Sequence, residues 1–307
     1  MVPGVEARAG GPPARFDSWQ PAPAPLERAL TGGLVYLRAP GSEMVRVPAS
    51  RFVMGSTPLE VLGAVLDCTR EPLGDHLRCS QLLFSDEMSA HPVLLSAYWL
   101  DRTEVTVRDY ARCVKLGRCR AIDYAAGKLR FAREDYPVTF VSWDDARAYC
   151  RFRGARLPTE AEWERAARGV EGRRFPWGNI YNSRVSNHGR LGWAPTDLRD
   201  GFAELAPVGS FPAGKTPEGF LDLAGNVAEW VEDRYASPYP PEPATDPGGP
   251  SAATGGGGER VVRGGSYESG VPWLRGAARG AVDPSLRRPT IGFRCARSAS
   301  RRSPAAP

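Results

Sequence analysis

The 307-residue sequence lacks the features that mark several large classes of protein. It has no run of about 18 apolar residues, so no segment is long enough to span a bilayer as a helix. Residues 1–25 alternate Pro, Ala, Gly and Arg and contain no apolar core of a signal peptide. The formal net charge is only +5, and no basic helix or stripe interleaved with aromatic residues occurs. The sequence therefore argues against a transmembrane segment and against a nucleic-acid partner.

The sequence also has few residues that could hold a transition metal. No two cysteines have the CxxC spacing that is typical of structural zinc sites, and only three histidines are present. These histidines are scattered along the chain, which argues against a zinc site. They are His76, His91 and His188.

The cysteines are even in number, and four of them form two closely spaced pairs that close short loops. This pattern predicts disulfides, although the missing signal peptide taken alone would indicate a cytoplasmic protein. We give the cysteines more weight and expect a secreted or periplasmic protein whose signal segment is not part of this chain. The six residues fall as Cys68 with Cys79, Cys113 with Cys119, and Cys150 far from Cys295.

The composition divides the chain into one domain with two tails. Residues 1–39 are rich in Pro and Ala and predict a flexible arm, and residues 298–307 predict a disordered tail. Within the domain, at 40–297, residues 57–90 carry no strong regular signal and are interpreted as an insertion. Residues 236–258 contain Pro and Gly runs and predict an exposed, mobile loop.

Alternation of apolar and polar residues predicts strands within 44–54, and aromatic and β-branched content predicts a strand at 92–100. Three hydroxyl residues, each followed three positions later by an acid, predict helix N-termini, and a glycine follows each predicted helix. After Gly169 the chain is expected to be mostly loop, with no helix longer than one or two turns. The predicted helices are 107–116 after Thr106, 143–152 after Ser142 and 160–168 after Thr159, ending before Gly117, Gly154 and Gly169.

The order of the longer motifs resembles the formylglycine-generating enzyme family, also called sulfatase-modifying factors. The similarity extends over about residues 40–297. Single elements such as GGS are weak, whereas RLPTEAEWE, GNVAEW and GFR in that order are highly specific. The motifs are MVRVPASRFVMGS, YWLDRTEVTVRDYARCV, YPVTFVSWDDARAYCRFRGARLPTEAEWERAARG, FPWGN, GFLDLAGNVAEWVEDRY, RVVRGGSYES and IGFRCAR.

The resemblance implies an irregular, loop-rich α+β fold related to the C-type lectins and held by bound calcium. It also implies a disulfide between Cys150 and Cys295. Calcium takes six to eight hard oxygen ligands, which carboxylates and carbonyls of a glycine-containing turn can supply. By the same resemblance, one ion would be held by Asp222, Gly225, Val227 and Glu229, and a second by Asn187, His188, Asp200 and Phe202.

Two cysteines that the family's oxidases require are missing. In those enzymes they follow the GGS strand, bind copper(I) and hold the substrate cysteine that oxygen converts to formylglycine. Here Ser269 stands where the first thiolate belongs and Leu274 is nearest the second, in a segment about three residues shorter. A hydroxyl and an isobutyl group cannot replace soft thiolates, so the sequence argues against copper. The histidines also lack the HxxxH spacing of the iron-dependent sulfoxide synthases of this superfamily.

Three functions remain open. The first and favoured one is a non-catalytic or chemically unassigned member whose pocket binds a peptide, a glycan or a partner protein. The second is an enzyme with an altered centre built from Glu268, Ser269, Arg275, Arg279 and Arg294. The third is a structural module that its Pro-rich arm tethers to an envelope assembly. The candidate pocket residues are Tyr267, Glu268, Ser269, Trp273 and Arg275.

Overall fold

The computed structural model describes the central part of the chain and gives it four α-helices and twelve strands in the described residues. The described ranges are 27–31, 34–39, 42–71, 78–125, 127–189, 198–250 and 258–299. The helices are α1 (Pro58–Arg70), α2 (Val107–Lys115), α3 (Trp143–Phe152) and α4 (Glu160–Arg168). The strands are β1 (Glu27–Thr31), β2 (Leu34–Ala39), β3 (Ser42–Val47), β4 (Ser50–Met54), β5 (His91–Leu95), β6 (Tyr98–Asp101), β7 (Ala228–Arg234), β8 (Ala244–Thr245), β9 (Arg260–Arg263), β10 (Arg279–Val282), β11 (Ile291–Gly292) and β12 (Ala296–Ser298).

The strands form three small sheets. An antiparallel sheet has the order β1-β2-β3-β6-β12, and a second sheet has the order β10-β9-β7-β11, with β11 parallel to β7. The third sheet has the order β4-β5-β8, with β8 parallel to β5. Only loops and short 3₁₀ turns lie between α4 and β7 in the described residues, as the sequence predicts after Gly169.

Helix α4 lies at the centre of the molecule, and all of its residues are buried. Its Trp163 packs in one apolar cluster with Val45 of β3 and Phe52 of β4. Because the helix also carries charged residues into the interior, each of these needs a partner. Glu164 accepts hydrogen bonds from Arg263 at 2.6 Å and from Arg168 at 3.1 Å.

The three predicted helices are confirmed, and so is the reason for their positions. Thr106, Ser142 and Thr159 each accept a hydrogen bond from the backbone amide three residues later. This bond satisfies one of the amide groups that the first helical turn leaves without a partner. Gly169, which ends α4, has a φ of +70°, a conformation that glycine adopts without steric cost.

The insertion at 57–90 contains regular structure that the sequence analysis missed. Helix α1 begins after Thr57, which forms a capping box with Glu60, and Pro58 occupies its first turn. A 3₁₀ helix follows at Gln81–Glu87. The signal for α1 was present in the Thr-Pro-Leu-Glu start, but apolar residues on both faces of the helix hide its amphipathic period.

Two other segments differ from the predicted organisation. The arm predicted at 1–39 includes strands β1 and β2. They form one side of the five-stranded sheet, where β2 pairs with β3. The loop predicted at 236–258 contributes β8, and its Tyr239 is buried against Glu160, to which it donates a hydrogen bond of 2.8 Å. The described part of this loop is therefore anchored at Tyr239 and β8, while most of its residues are exposed.

All six cysteines form disulfides, in the pairs that the sequence analysis expects: Cys68–Cys79, Cys113–Cys119 and Cys150–Cys295. The third joins α3 to the segment before β12 across 145 residues. In the chain-entropy model a loop of this length is worth about 4 to 5 kcal/mol. No helix in the described ranges is both long enough and apolar enough to cross a membrane.

Candidate functional site

The segment 264–275 follows β9 and contains the candidate pocket. Its first glycine, Gly264, has a φ of +91° and lies where a Cβ atom would come within 3.0 Å of the Trp163 ring. A side chain here would be strained and would press on the indole, so the turn requires glycine. The segment ends in a 3₁₀ turn at Val271–Leu274.

Ser269 is held in place by its own backbone turn. Its Oγ accepts a hydrogen bond of 2.9 Å from the Ser266 amide, and its carbonyl accepts one of 3.1 Å from Gly189. Leu274 is fully buried in an apolar cluster with Phe175 and Ala224. The hydroxyl is thus used to shape the turn, and the leucine is part of the core.

The C-terminal end of this segment is covered by the insertion. The rings of Trp273 and Phe84 are 5.7 Å apart, and the Glu71 carboxylate accepts a hydrogen bond of 3.0 Å from the Val271 amide. Arg275 donates to both oxygens of the buried Glu87, at 2.9 and 2.5 Å. This end is therefore locked by a buried ion pair and an aromatic contact.

The N-terminal end faces another part of the molecule. Tyr267 is buried with Phe131 and Leu205, and burial raises the pKa of its hydroxyl above the usual range. Glu268 is exposed, yet partial desolvation and the nearby Glu204 carboxylate raise its pKa. Glu204 itself accepts two hydrogen bonds from Arg130, at 2.6 and 2.9 Å.

The structure consequently divides four of the five candidate pocket residues between two sides of the segment, with Ser269 in the turn between them. Tyr267 packs with Phe131 and the exposed Glu268 lies near Glu204, whereas Trp273 and Arg275 contact the insertion. The further arginines proposed for an altered enzyme centre are also engaged elsewhere. Arg279 donates to both oxygens of Glu160, and Arg294 to both oxygens of Glu229.

The first predicted calcium set lies in the interior, but one of its carboxylates is already paired. Glu229 accepts hydrogen bonds of 2.7 Å from Arg294 and of 2.9 Å from the Trp163 indole. Asp222 has a φ of +57° and accepts a bond of 2.6 Å from the Gly209 amide. The carboxyl group next to Asp222 belongs to Glu104, which the sequence analysis missed.

Glu104 is buried, and one of its oxygens, Oε2, has no hydrogen-bond partner in the described residues. Its other oxygen accepts a bond of 2.8 Å from the Asn226 side chain. Burial, and then the neighbouring Asp222, raise the pKa of Glu104 well above its usual range. Burial also raises the pKa values of Asp222 and Glu229. Three buried carboxyl groups thus surround one guanidinium group, that of Arg294.

The second predicted calcium set is brought together by its backbone. Asp200 accepts hydrogen bonds from the His188 amide at 2.9 Å and from the Phe202 amide at 3.0 Å. The side-chain oxygen of Asn187 is buried and has no partner in the described part of the chain. Asp200 thus connects His188 and Phe202, and Asn187 is the residue before His188. The four residues of the second predicted set therefore lie close together.

The two sets are neighbours. The Asn187 carbonyl accepts a hydrogen bond of 2.7 Å from Asn226, and a Cβ atom on Gly225 would lie only 2.0 Å from it. Gly225 also has a φ of +85°, so only glycine allows this close approach. Among the described residues, no three His, Cys, Asp or Glu side chains are grouped as metal ligands. A cation here would consequently need amide and carbonyl oxygens as well as carboxylates.

Comparison with known proteins identifies the family. The family model of the sulfatase-modifying factor enzyme 1-like domain matches residues 36–299. The chain belongs to this family. It is 47% identical over 103 residues to the inactive C-alpha-formylglycine-generating enzyme 2 of Bos taurus, covering 33% of this chain and 34% of that protein. It is 41% identical over 184 residues to the formylglycine-generating enzyme of Streptomyces coelicolor, covering 54% of each.

These matches extend over about a third to a half of the relatives' lengths. Among solved structures, PvdO from Pseudomonas aeruginosa superimposes with a TM-score of 0.64 at 25% identity, covering 84% of this chain and 95% of PvdO. The loop-rich α+β fold of the sulfatase-modifying factor family, with its C-type-lectin-like architecture, is thereby confirmed.

Some site residues could not be found from sequence. Glu104 lies two residues before Thr106, the N-cap of α2, and is part of no predicted ligand motif. Only the fold brings it close to Asp222 and Asn226. The insertion residues Phe84 and Glu87 contact positions about 190 residues later in the chain. His91 is buried in β5, and its ring contacts the Ser89 carbonyl, whereas His76 lies outside the described residues.

Proposed function

We propose that this sulfatase-modifying factor family member is a binding protein that does not oxidise cysteine. The observation that carries the proposal is the chemistry at the two copper positions. Ser269 uses its hydroxyl in a backbone turn, Leu274 is core, and all six cysteines are in disulfides. Copper(I) requires soft ligands, and no free thiol is present to supply them.

A relative supports this proposal. The similar bovine protein is described as an inactive C-alpha-formylglycine-generating enzyme. The paired state of Arg275, Arg279 and Arg294 also weakens the alternative of an enzyme with an altered centre, because none of the three offers a free guanidinium group to a substrate anion. The role that we propose is recognition of a peptide, a glycan or a partner protein.

The decisive experiment is mass spectrometry of a sulfatase-type cysteine peptide after incubation with the protein, copper(I), reductant and oxygen. We expect the peptide mass to stay unchanged, while a family oxidase run in parallel converts the cysteine to an aldehyde. A peptide with serine in place of cysteine controls for other losses of mass. Aldehyde formation by this protein would show that the proposal is wrong.

Calcium is proposed as the stabilising ion. The residues that would hold it are Asn187, His188, Asp200 and Phe202 at one position and Asp222 with the carbonyls of Gly225 and Val227 at the other, where Glu104 adds a carboxylate beside Glu229. The unpartnered side-chain oxygen of Asn187 supports the fit at the first position. When bound, calcium would neutralise buried carboxylates and connect loops that few backbone hydrogen bonds hold.

Thermal unfolding with calcium or with a chelator tests this assignment. We expect calcium to raise the unfolding midpoint, and Asp200→Asn to remove most of that increase. Asp135→Asn, on an exposed loop, serves as the matched control and should leave the increase unchanged. An unfolding midpoint that is independent of calcium would contradict the assignment.

The three disulfides support a secreted or periplasmic location, because such bonds persist in oxidising compartments. An association with an envelope protein would fit this location.

A further inference from the structure

Helix α1 carries apolar residues on two opposite sides. Its inner side, with Val61, Ala64 and Cys68, is buried, as the spacing of three and four residues requires. A second row with the same spacing faces solvent. Leu59 is 77% exposed, Leu62 44% and Leu66 48%. A helix of this kind has one side packed on its own fold and another side available for a neighbour.

The 3₁₀ helix that follows carries two more exposed leucines. Its Leu82 is 81% exposed and its Leu83 is 41% exposed. The next residue, Phe84, packs in the same small cluster as Val61 and Ala64 of α1, so the two elements share an inner side. The Cys68–Cys79 bond connects them covalently. We call the outer residues of this projection, Leu59, Leu62, Leu66, Leu82 and Leu83, the leucine face.

The leucine face is unusual within this molecule. Thirteen large apolar residues are exposed in the described part of the chain, and five of them lie in this one insertion. The other eight are distributed over the rest of the fold. Single exposed leucines are normal, whereas a concentration of them on one projection marks an interaction surface.

The insertion is also firmly attached, so the leucine face is not a consequence of loose packing. Every acidic residue in its described part is bound to the body of the protein. The contacts are Glu60 with Arg168, Asp67 with Arg174, Glu71 with the Val271 amide, Asp86 with Tyr235 and Glu87 with Arg275.

Within the described part of the insertion, this use of the acids leaves basic side chains without acidic partners. Arg70 at the end of α1 and Arg78 before the 3₁₀ helix are both exposed and have no partner in the described residues. A second copy of the chain is therefore disfavoured as the occupant, because two identical faces would bring like charges together. A lipid surface is disfavoured too, because recognition of anionic membranes usually involves clusters of about four to eight basic residues.

We propose that the leucine face binds an amphipathic helix of a partner protein that has acidic residues beside its apolar stripe. The spacing of Leu59, Leu62 and Leu66 matches the anchors that helices use when they pack against each other. Arg70 and Arg78 would select acidic flanks and so give the interaction its charge specificity. This surface is separate from the copper positions, so the proposal does not depend on whether the protein oxidises cysteine.

The test measures binding of two labelled synthetic helical peptides to the full-length protein by fluorescence anisotropy. Both peptides carry leucines at positions i, i+3, i+4 and i+7, but one has glutamates and the other lysines on the flanks. We expect the glutamate peptide to bind and the lysine peptide to bind at least about tenfold more weakly. The double variant Arg70→Glu/Arg78→Glu should reverse this preference.

A triple variant, Leu59→Ser/Leu66→Ser/Leu82→Ser, should lower the affinity for the glutamate peptide by about tenfold or more. Its unfolding midpoint should stay at the wild-type value, since all three side chains are exposed. Leu129→Ser is the matched control, because Leu129 is 75% exposed but lies outside the insertion. This variant should bind as the wild type does.

Four results would overturn the proposal. They are binding of neither peptide, equal binding of both, binding to phosphatidylglycerol vesicles that the triple variant abolishes, and a dimer in sedimentation that the triple variant dissociates. The last two would assign the leucine face to a membrane or to a second copy.

Discussion

The two ends of the segment 264–275 differ in burial. One end is fixed by buried contacts and the other is exposed to solvent. At one end, Arg275 and Glu87 are buried together and the insertion covers Trp273. At the other, Glu268 is exposed beside the half-exposed Glu204–Arg130 pair. The insertion therefore stabilises the Arg275 end of the segment, whereas Glu268 at the other end stays exposed to solvent.

Removing the buried carboxylate should have the largest effect on this comparison. Glu87→Gln leaves Arg275 buried without a counter-charge, which typically costs about 3 to 5 kcal/mol. Chemical denaturation should show a corresponding decrease in the free energy of unfolding. A change as small as that of an exposed ion pair would mean that Arg275 reaches solvent or another carboxylate.

The Cys68–Cys79 bond is expected to matter somewhat less. Replacing both residues with serine removes a link across 11 residues, which is worth about 2 to 3 kcal/mol in the chain-entropy model. Hydrogen exchange in α1 should become faster than in the rest of the fold. The control variant without Cys113 and Cys119 should lose stability with no selective change in α1.

At the accessible end, Glu268→Gln should produce a small stabilisation that depends on pH. The folded-state pKa of Glu268 is raised by desolvation and by Glu204, so the ionised form disfavours the folded state at neutral pH. This disadvantage disappears as the pH falls below the unfolded value of about 4.5. The variant should thus be more stable than the wild type at pH 7 and equal to it at pH 3, as measured by thermal unfolding. A difference independent of pH would contradict this account.

The smallest effect is expected from Glu204→Gln. Because the Glu204–Arg130 pair is largely exposed, the unfolding midpoint should hardly change. The pKa of Glu268 should nevertheless decrease, since a neighbouring negative charge is removed. Nuclear magnetic resonance titration of the Glu268 carboxyl would detect the decrease, and an unchanged pKa would show that the two carboxyl groups do not interact.

Local sequence signals predicted the helices well because their causes are local. Thr159 and Glu162 are three residues apart and form the capping box of α4. This interaction depends only on neighbouring residues. The structure joins His188 to Asp200, two residues of the second predicted calcium set, by a hydrogen bond, and the calcium site itself stays a prediction. The same reasoning missed α1, whose second row of leucines makes the helix look irregular.

What could not be predicted depends on residues that are distant in sequence. The pairing of Glu229 with Arg294, across 65 residues, removes a carboxylate that the motif alone offers to calcium. Glu104 approaches Asn226 across 122 residues. Neither spacing follows a helical or strand period, so only the folded chain reveals which charges neutralise each other.

The Cys150–Cys295 bond has a consequence for how the protein would withstand proteases. It encloses almost all of the loop-rich half of the chain, including the exposed turns between α4 and β7. A single cut anywhere within that half would leave the two fragments covalently joined, and they would separate on a gel only after reduction. A protein outside the cell could in this way be nicked in its loops and still remain one molecule.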